Sequence, residues 1–139
     1  MSLIPSYPDF APLTLDMARE MSPHLVKSPD GISEYSFAGL YLFRDKYEYK
    51  ITRKNNFIII SGSLYGRSFF ITPCCSTDIE TIRELFQAHD VWKLVSPAFI
   101  AENGDTIRAA GYELVEDRDN FDYLYLRSEL ATLSGKKFH

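Results

Sequence analysis

The sequence predicts an α+β domain in which helices pack on a mixed, mostly antiparallel sheet. Three observations lead to this fold class. Four β-rich runs occupy residues 36–44, 47–53, 56–63 and 67–72, and the connections between them are short enough for hairpins. After Pro73 the spacing of the apolar residues becomes helical. Helices and strands then alternate to the end of the chain, an order that is typical of helices packed on a sheet.

The segment before the first predicted strand holds an extended arm and a short helix. Prolines at positions 5, 8 and 12 favour an extended arm up to Leu13. Thr14 is a candidate cap for a helix over residues 15–21, and a turn is expected at residues 28–31. The predicted buried face of this helix consists of Leu15, Ala18 and Met21.

Gly39 leaves two interpretations of the first β-rich run open. A glycine inside a strand often marks a bulge, so residues 36–44 would form a bulged strand. The alternative is that this piece of the chain is helical.

The helix after the fourth run has the clearest pattern in the chain. Thr77 and Glu80 match a capping box at its start. Its apolar positions then share one helical face, made of Ile79, Ile82, Leu85 and Phe86.

The remaining elements alternate between strand and helix. Residues 91–95 are predicted as a strand, and Ser96 begins a helical piece that Gly104 is expected to divide. Gly111 lies where a helix is expected to end with a residue in the left-handed conformation. The last elements are strands over residues 112–115 and 121–126, separated by a polar turn, and a helix over residues 128–133.

Composition limits the function classes. The 139 residues fit one domain spanning residues 1–139, and the net charge of −4 gives no general basis for binding DNA. No apolar run approaches the length of a membrane helix, and no secretory signal is evident, so the expected location is the cytoplasm. Cys74 and Cys75 are adjacent, which disfavours a disulfide between them, and no second ligand pair gives a metal-site spacing, so no metal site is expected.

Three segments resemble a bacterial family of unknown function that is similar to the C-terminal domain of phosphatidylglycerol lysyltransferase. They are EYSFAGLY at residues 34–41, AGYELVED at 110–117, and NFDYLY at 120–125, which continues to GKKFH at 135–139. The resemblance implies a GNAT-like, that is acyl-CoA N-acyltransferase-like, fold and an acyl- or aminoacyl-transferase function. It also implies two such halves in one polypeptide, of which this chain looks like the first.

The resemblance has consequences for partners. The second half would complete the active site, so this chain alone is expected to be incomplete. An aminoacyl-tRNA or another acyl donor is the implied ligand, and uncovered apolar surface would favour a homo-oligomer. The alternative is a non-catalytic ligand-binding or protein-interaction module on the same fold.

No catalytic residue is assigned, but five residues near the end of the chain are candidates for substrate or phosphate binding. Lys136, Lys137 and His139 follow a predicted helix C-terminus. They either bind a phosphate group, or are solvated and interact favourably with the helix dipole. Tyr123 and Tyr125 share one face of a strand, where they either orient a carbonyl or bury their rings. Coenzyme A is not expected at the junction over residues 71–77, because it lacks the glycines of a phosphate-binding loop.

Overall fold

A five-stranded sheet forms the centre of the molecule. The computed structural model describes residues 1–25, 32–73 and 78–120. The strands are β1 (Ala11–Pro12), β2 (Lys50–Lys54), β3 (Phe57–Leu64), β4 (Arg67–Ile71) and β5 (Val91–Trp92). The helices are α1 (Ala18–Met21), α2 (Phe37–Leu42), α3 (Ile79–Phe86) and α4 (Pro97–Ala109), and short 3-10 turns cover Leu15–Met17, Ser22–His24 and Arg118–Asn120.

The sheet is mixed and its strands are arranged in sequence order. Strands β1 to β4 pair antiparallel with their neighbours, whereas β5 pairs parallel with β4 through Phe69↔Val91 and Phe70↔Trp92. The turn between β3 and β4 contains only Tyr65 and Gly66, both with positive φ, as two-residue hairpins require. The predicted α+β class, with a mostly antiparallel sheet, is confirmed.

Alternating side chains divide the core between the two faces of the sheet. Ile58 and Ile60 of β3 point to a first cluster, which the N-terminal segments cover with Met21 and Leu40. Ile59 points to the opposite face and joins a second cluster with Phe70, Ile82 and Leu85. The predicted apolar face of α3 therefore packs on the sheet, with Phe86 partly buried against it.

The N-terminal arm pairs with the edge of β2, which confirms the predicted extended segment. The amide of Tyr7 donates to Arg53 O at 2.8 Å, and the amide of Arg53 donates to Pro5 O at 2.8 Å. Ile4 is only 2% exposed. The carboxylate of Glu20 accepts hydrogen bonds from the Ser2 hydroxyl and the Leu3 amide, so α1 also anchors the arm.

The predicted strand over residues 36–44 is wrong, because this segment contains helix α2. The Ser36 hydroxyl caps the helix by accepting the Gly39 amide at 3.1 Å. A Cβ at Gly39 would lie 3.0 Å from that hydroxyl oxygen, so the glycine makes room for the cap. Phe37 and Tyr41, one helical turn apart, stack at 5.6 Å. The helical interpretation of Gly39 is therefore the correct one.

Three further boundaries differ from the predictions. Gly104 does not divide α4: it is buried inside the helix, where a Cβ would lie 3.4 Å from Ile100. Residues 112–115 join no strand of the described residues, and Tyr112 instead stacks on Phe86 at 4.6 Å. The N-cap of α3 is Asp78.

Near the N-terminus, the predicted helix over residues 15–21 is a 3-10 turn followed by the short α1. Thr14 makes no capping hydrogen bond, and Leu15 is 60% exposed rather than buried. Met17 and Met21 face the core instead. Gly111 does adopt the predicted left-handed conformation, with φ of 95°. The elements predicted at residues 28–31, 121–126 and 128–133, and Cys74, Cys75 and Thr77, lie outside the described residues.

Candidate functional site

The parallel ladder between β4 and β5 ends abruptly. The Asp90 amide donates to Ser68 O at 3.0 Å, and the Lys93 amide donates to Phe70 O at 2.9 Å. A continued parallel ladder would next join the Thr72 amide to Lys93 O, and this bond is not formed. The two strands therefore separate immediately after Ile71 and Lys93.

At Leu94 the chain leaves the direction of β5. Its φ is 59°, a left-handed conformation that costs a residue with a side chain about 1–2 kcal/mol. The side chain of Lys93 lies over the Phe69 ring, and that of Leu94 packs against the same first cluster. Two successive side chains on one face break the alternation of a strand. For this reason the predicted strand over residues 91–95 ends at Trp92.

Thr72 contributes a buried backbone donor to the gap between the strands. The residue is 6% exposed, and its hydroxyl accepts a hydrogen bond from the Trp92 indole at 3.0 Å. Its backbone amide has no acceptor among the residues that the structure describes. Buried amides are nearly always hydrogen-bonded, so this donor is available to a ligand.

The N-cap of α4 lies two residues after Leu94, and the N-cap of α3 is Asp78, in the segment that follows β4. Ser96, which is buried, caps α4 by accepting the Phe99 amide at 3.1 Å. Asp78 caps α3 by accepting the Thr81 amide at 2.8 Å, and this bond is the main reason that the pKa of Asp78 lies below its usual 3.8. Helix N-termini carry partial positive charge, which favours negative groups nearby. We call the gap bordered by Thr72, Trp92, Leu94 and Ser96 the strand-end crevice.

The crevice lies where ligands bind in open α/β sheets, outside the carboxyl ends of parallel strands. In this mostly antiparallel sheet, β4 and β5 are the pair that runs parallel. Trp92 and Phe99 form an aromatic wall there, with ring centroids 5.7 Å apart in an edge-to-face arrangement. Among the described residues, the crevice thus combines a backbone amide without an acceptor, the N-terminus of α4 and an apolar wall.

A separate concavity lies beside β1 and the start of β2. Its volume is about 250 Å³, and its lining comprises Pro12, Leu13, Arg44, Asp45, Glu48, Tyr49 and Lys50. The two cations and two carboxylates leave it without a dominant charge. Burial, and then the neighbouring Tyr47 and Glu34, raise the pKa of Tyr49, so this phenol stays protonated at neutral pH. We therefore place the candidate site in the crevice.

The residues predicted to bind substrate or phosphate lie outside the described residues. These are Tyr123, Tyr125, Lys136, Lys137 and His139. Thr72 and Leu94 carry no signal in the sequence, because neither a threonine before a proline nor a leucine after a lysine indicates an interrupted ladder. In residues 1–25, 32–73 and 78–120 no group of three or more His, Cys, Asp or Glu side chains could hold a metal ion. The same ranges contain no helix long and apolar enough to cross a membrane.

Comparison with known proteins identifies the family. The model of the C-terminal domain of phosphatidylglycerol lysyltransferase matches residues 27–139. The chain belongs to this family. A search of curated proteins found no match to this chain. The structure of the chain is similar to the crystal structure of a conserved protein of unknown function from Bacteroides thetaiotaomicron VPI-5482, with 25% identity and a TM-score of 0.68. The match covers 93% of this chain and 46% of the other, so the lysyltransferase-family chain spans about half of that protein.

Proposed function

We propose that this chain is a GNAT-like domain of an acyl- or aminoacyl-transferase resembling phosphatidylglycerol lysyltransferase. Its family membership supports a transferase. The observation that carries the proposal is the buried Thr72 amide at the separated ends of β4 and β5. A buried backbone amide without an acceptor among the described residues is suited to bind a carbonyl oxygen, the group that every acyl or aminoacyl donor presents.

The proposed chemistry is transfer of an activated acyl group from an ester to a hydroxyl. The acceptor oxygen attacks the ester carbonyl carbon, the bond to the donor oxygen breaks, and the acceptor proton passes to that departing oxygen, which leaves as a hydroxyl. The Thr72 amide would donate to the carbonyl oxygen as it gains negative charge. The N-terminus of α4 would add to this stabilisation. We assign the remaining catalysis to positioning of the two reactants.

The C-terminal candidates have roles in this proposal. Lys136, Lys137 and His139 would contact phosphate groups of the donor or of a lipid headgroup. Tyr123 and Tyr125 would orient the carbonyl. Coenzyme A is not the proposed donor, because the junction after β4 lacks a glycine loop.

We further propose that the chain is the first of two GNAT-like halves of a cytoplasmic protein. The structural neighbour is about twice as long as the matched region, which supports this division. The second half would close the crevice and complete the active site. The native reading frame after the His139 codon tests the division: a second α/β half would support it, and a stop codon would contradict it.

Nuclear magnetic resonance tests the proposed site directly. We expect a non-hydrolysable 3′-lysylamido-adenosine, which mimics the end of lysyl-tRNA, to shift the Thr72 amide resonance downfield. Adenosine without the lysyl group is the control, because it lacks the carbonyl. If no donor analogue moves the Thr72 resonance, the crevice is not the donor site.

A second candidate function is a non-catalytic ligand-binding or interaction module. One observation favours it: of the described residues that border the crevice, none has an ionisable side chain free to act as an acid or base. Incubating the complete native protein with lysyl-tRNA and phosphatidylglycerol vesicles distinguishes the two. Lysylated lipid in the mass spectrum supports the transferase, whereas donor binding without product supports the module.

A further inference from the structure

The concavity beside β1 contains two charged side chains that are not ion-paired. Glu48 and Lys50 both line it, and both residues are exposed. They are only two positions apart and carry opposite charges. Even so, neither side chain forms an ion pair with the other or with any residue that the structure describes. The concavity therefore offers a ligand one anion and one cation.

The other two charged residues of this concavity are already paired. The Arg44 guanidinium donates to Tyr41 O at 2.7 Å and lies 3.9 Å from the centroid of the Tyr41 ring. It also lies 3.4 Å from the Asp45 carboxylate. These contacts hold Arg44 in place and offset its charge, so Glu48 and Lys50 remain the charges available to a ligand.

The backbone of Glu48 is held in a conformation that favours glycine. Its φ is 52°, and it lies in a turn that the Tyr49 amide closes by donating to Arg44 O at 3.0 Å. A left-handed conformation is unfavourable for a residue with a side chain, and glycine would avoid this cost. Such strained residues cluster at binding sites. The protein thus keeps a carboxylate at a position where glycine would be more stable.

The remaining lining of the concavity is apolar. Pro12 and Leu13 belong to it, and Leu13 is 5% exposed, so its floor is continuous with the first core cluster. Its volume of about 250 Å³ suits a small molecule. A ligand with an ammonium group, a carboxylate and an aliphatic part would match the anion, the cation and the apolar floor together.

We propose that this concavity binds a small zwitterion of the free α-amino acid type, with its ammonium on Glu48 and its carboxylate on Lys50. The site is separate from the strand-end crevice and does not depend on the proposed transferase function. A negative result at this site would leave that function untouched, because the crevice contains neither residue.

Isothermal titration calorimetry with L-leucine tests the proposal on the complete chain. Leucine carries both charges and an aliphatic side chain. Isopentylamine lacks the carboxylate, and 4-methylpentanoate lacks the ammonium group. We expect each of these analogues to bind roughly tenfold more weakly than leucine, because each loses one charge-assisted contact. Absence of leucine binding at millimolar concentrations, or equal binding by either analogue, would overturn the proposal.

Charge-removing variants locate the site. Glu48→Gln and Lys50→Met should each weaken leucine binding roughly tenfold. Lys46→Met is the matched control, because Lys46 is an exposed lysine of the same turn that does not line the concavity. It should leave the affinity unchanged. Wild-type affinity in both Glu48→Gln and Lys50→Met would place the binding elsewhere and contradict the proposal.

Glu48→Gly separates binding from a purely structural role. We expect this variant to lose leucine binding and yet to melt at a higher temperature than wild type, because glycine relieves the left-handed backbone. A residue kept only for the fold would not show this opposition. A Glu48→Gly protein that binds leucine as wild type does, or that melts at a lower temperature, would overturn the assignment of Glu48.

Discussion

At the scale of single residues, Gly62 shows how one missing side chain lets an aromatic ring close over the sheet. A Cβ at this position would lie 2.5 Å from Cζ of Phe69, its cross-strand partner. We expect Gly62→Ala to lower the free energy of unfolding by about 1–3 kcal/mol, because the ring must move from its packed position. Urea denaturation measures this loss. In combination with Phe69→Leu the alanine should cost much less, and additive effects would contradict the explanation.

Asp78 gives a prediction for the dependence of stability on pH. Its carboxylate accepts the Thr81 amide, so its pKa is lower in the folded state than its usual 3.8. The stabilisation is complete above the unfolded pKa and is lost as the pH falls through the folded one. We expect Asp78→Ala to cost about 1 kcal/mol near neutral pH, since a helix cap is removed.

Asp78→Asn is the matched control for this effect. Asparagine also caps helices well but does not ionise in this range. Denaturation midpoints should therefore differ little between wild type and Asp78→Asn near neutral pH, and the wild type should lose more stability in acid. Parallel pH profiles for the two proteins would show that Asp78 is not responsible.

At the scale of elements, the N-terminal arm behaves as part of the sheet. Ile4 is 2% exposed, whereas its neighbour Leu3 is 53% exposed. We expect Ile4→Ala to destabilise the fold by about 2–4 kcal/mol through loss of burial and the cavity that remains. Leu3→Ala should cost less than about 0.5 kcal/mol, because the side chain faces solvent. Equal melting temperatures for the two variants would mean that the arm is not anchored through Ile4.

Elements with local signals could be predicted from the sequence, and those that depend on tertiary contacts could not. The runs that became β2, β3 and β4 carry β-branched residues between short turns, and α3 has a strong apolar face. The sequence favours a strand over residues 36–44 and leaves a helix open, because aromatic residues such as Phe37 and Tyr41 are typical of strands whereas Gly39 weakens one. The segment is helical with the Ser36 hydroxyl capping its start, and this cap depends on the absence of a side chain at Gly39.

The crevice could not have been predicted for a related reason. Its free amide at Thr72 results from a hydrogen bond that is missing between two strands, and its Leu94 carbonyl accepts a hydrogen bond from the hydroxyl of the distant Tyr35. Neither relation is local in sequence. The five residues that the sequence predicts for substrate or phosphate binding, in contrast, all follow Asn120 in the chain.

At the scale of the whole molecule, one sheet supports two separate apolar clusters, and some apolar side chains belong to neither. Leu42 is 72% exposed and Phe43 is 46% exposed, and both lie at the end of α2. We expect this chain to self-associate at high concentration, because neighbouring exposed apolar groups favour contact with a partner.

Light scattering measures this association. Phe43→Ser should shift the protein towards monomer, whereas Leu15→Ser, at a residue 60% exposed elsewhere on the chain, should not. A wild type that stays monomeric and monodisperse at high concentration would contradict the prediction.

The single parallel pair of strands also has a consequence for the order of folding. Strands β2, β3 and β4 are joined by tight turns, so their contacts close over short stretches of chain. The contact of β5 with β4 closes a longer stretch of chain, which contains α3, and contacts that close longer loops tend to form later. The strand-end crevice is therefore expected to be assembled last. A transient species with an intact meander and an unformed crevice would expose the Phe70 and Trp92 rings, which makes that step the one most prone to aggregation.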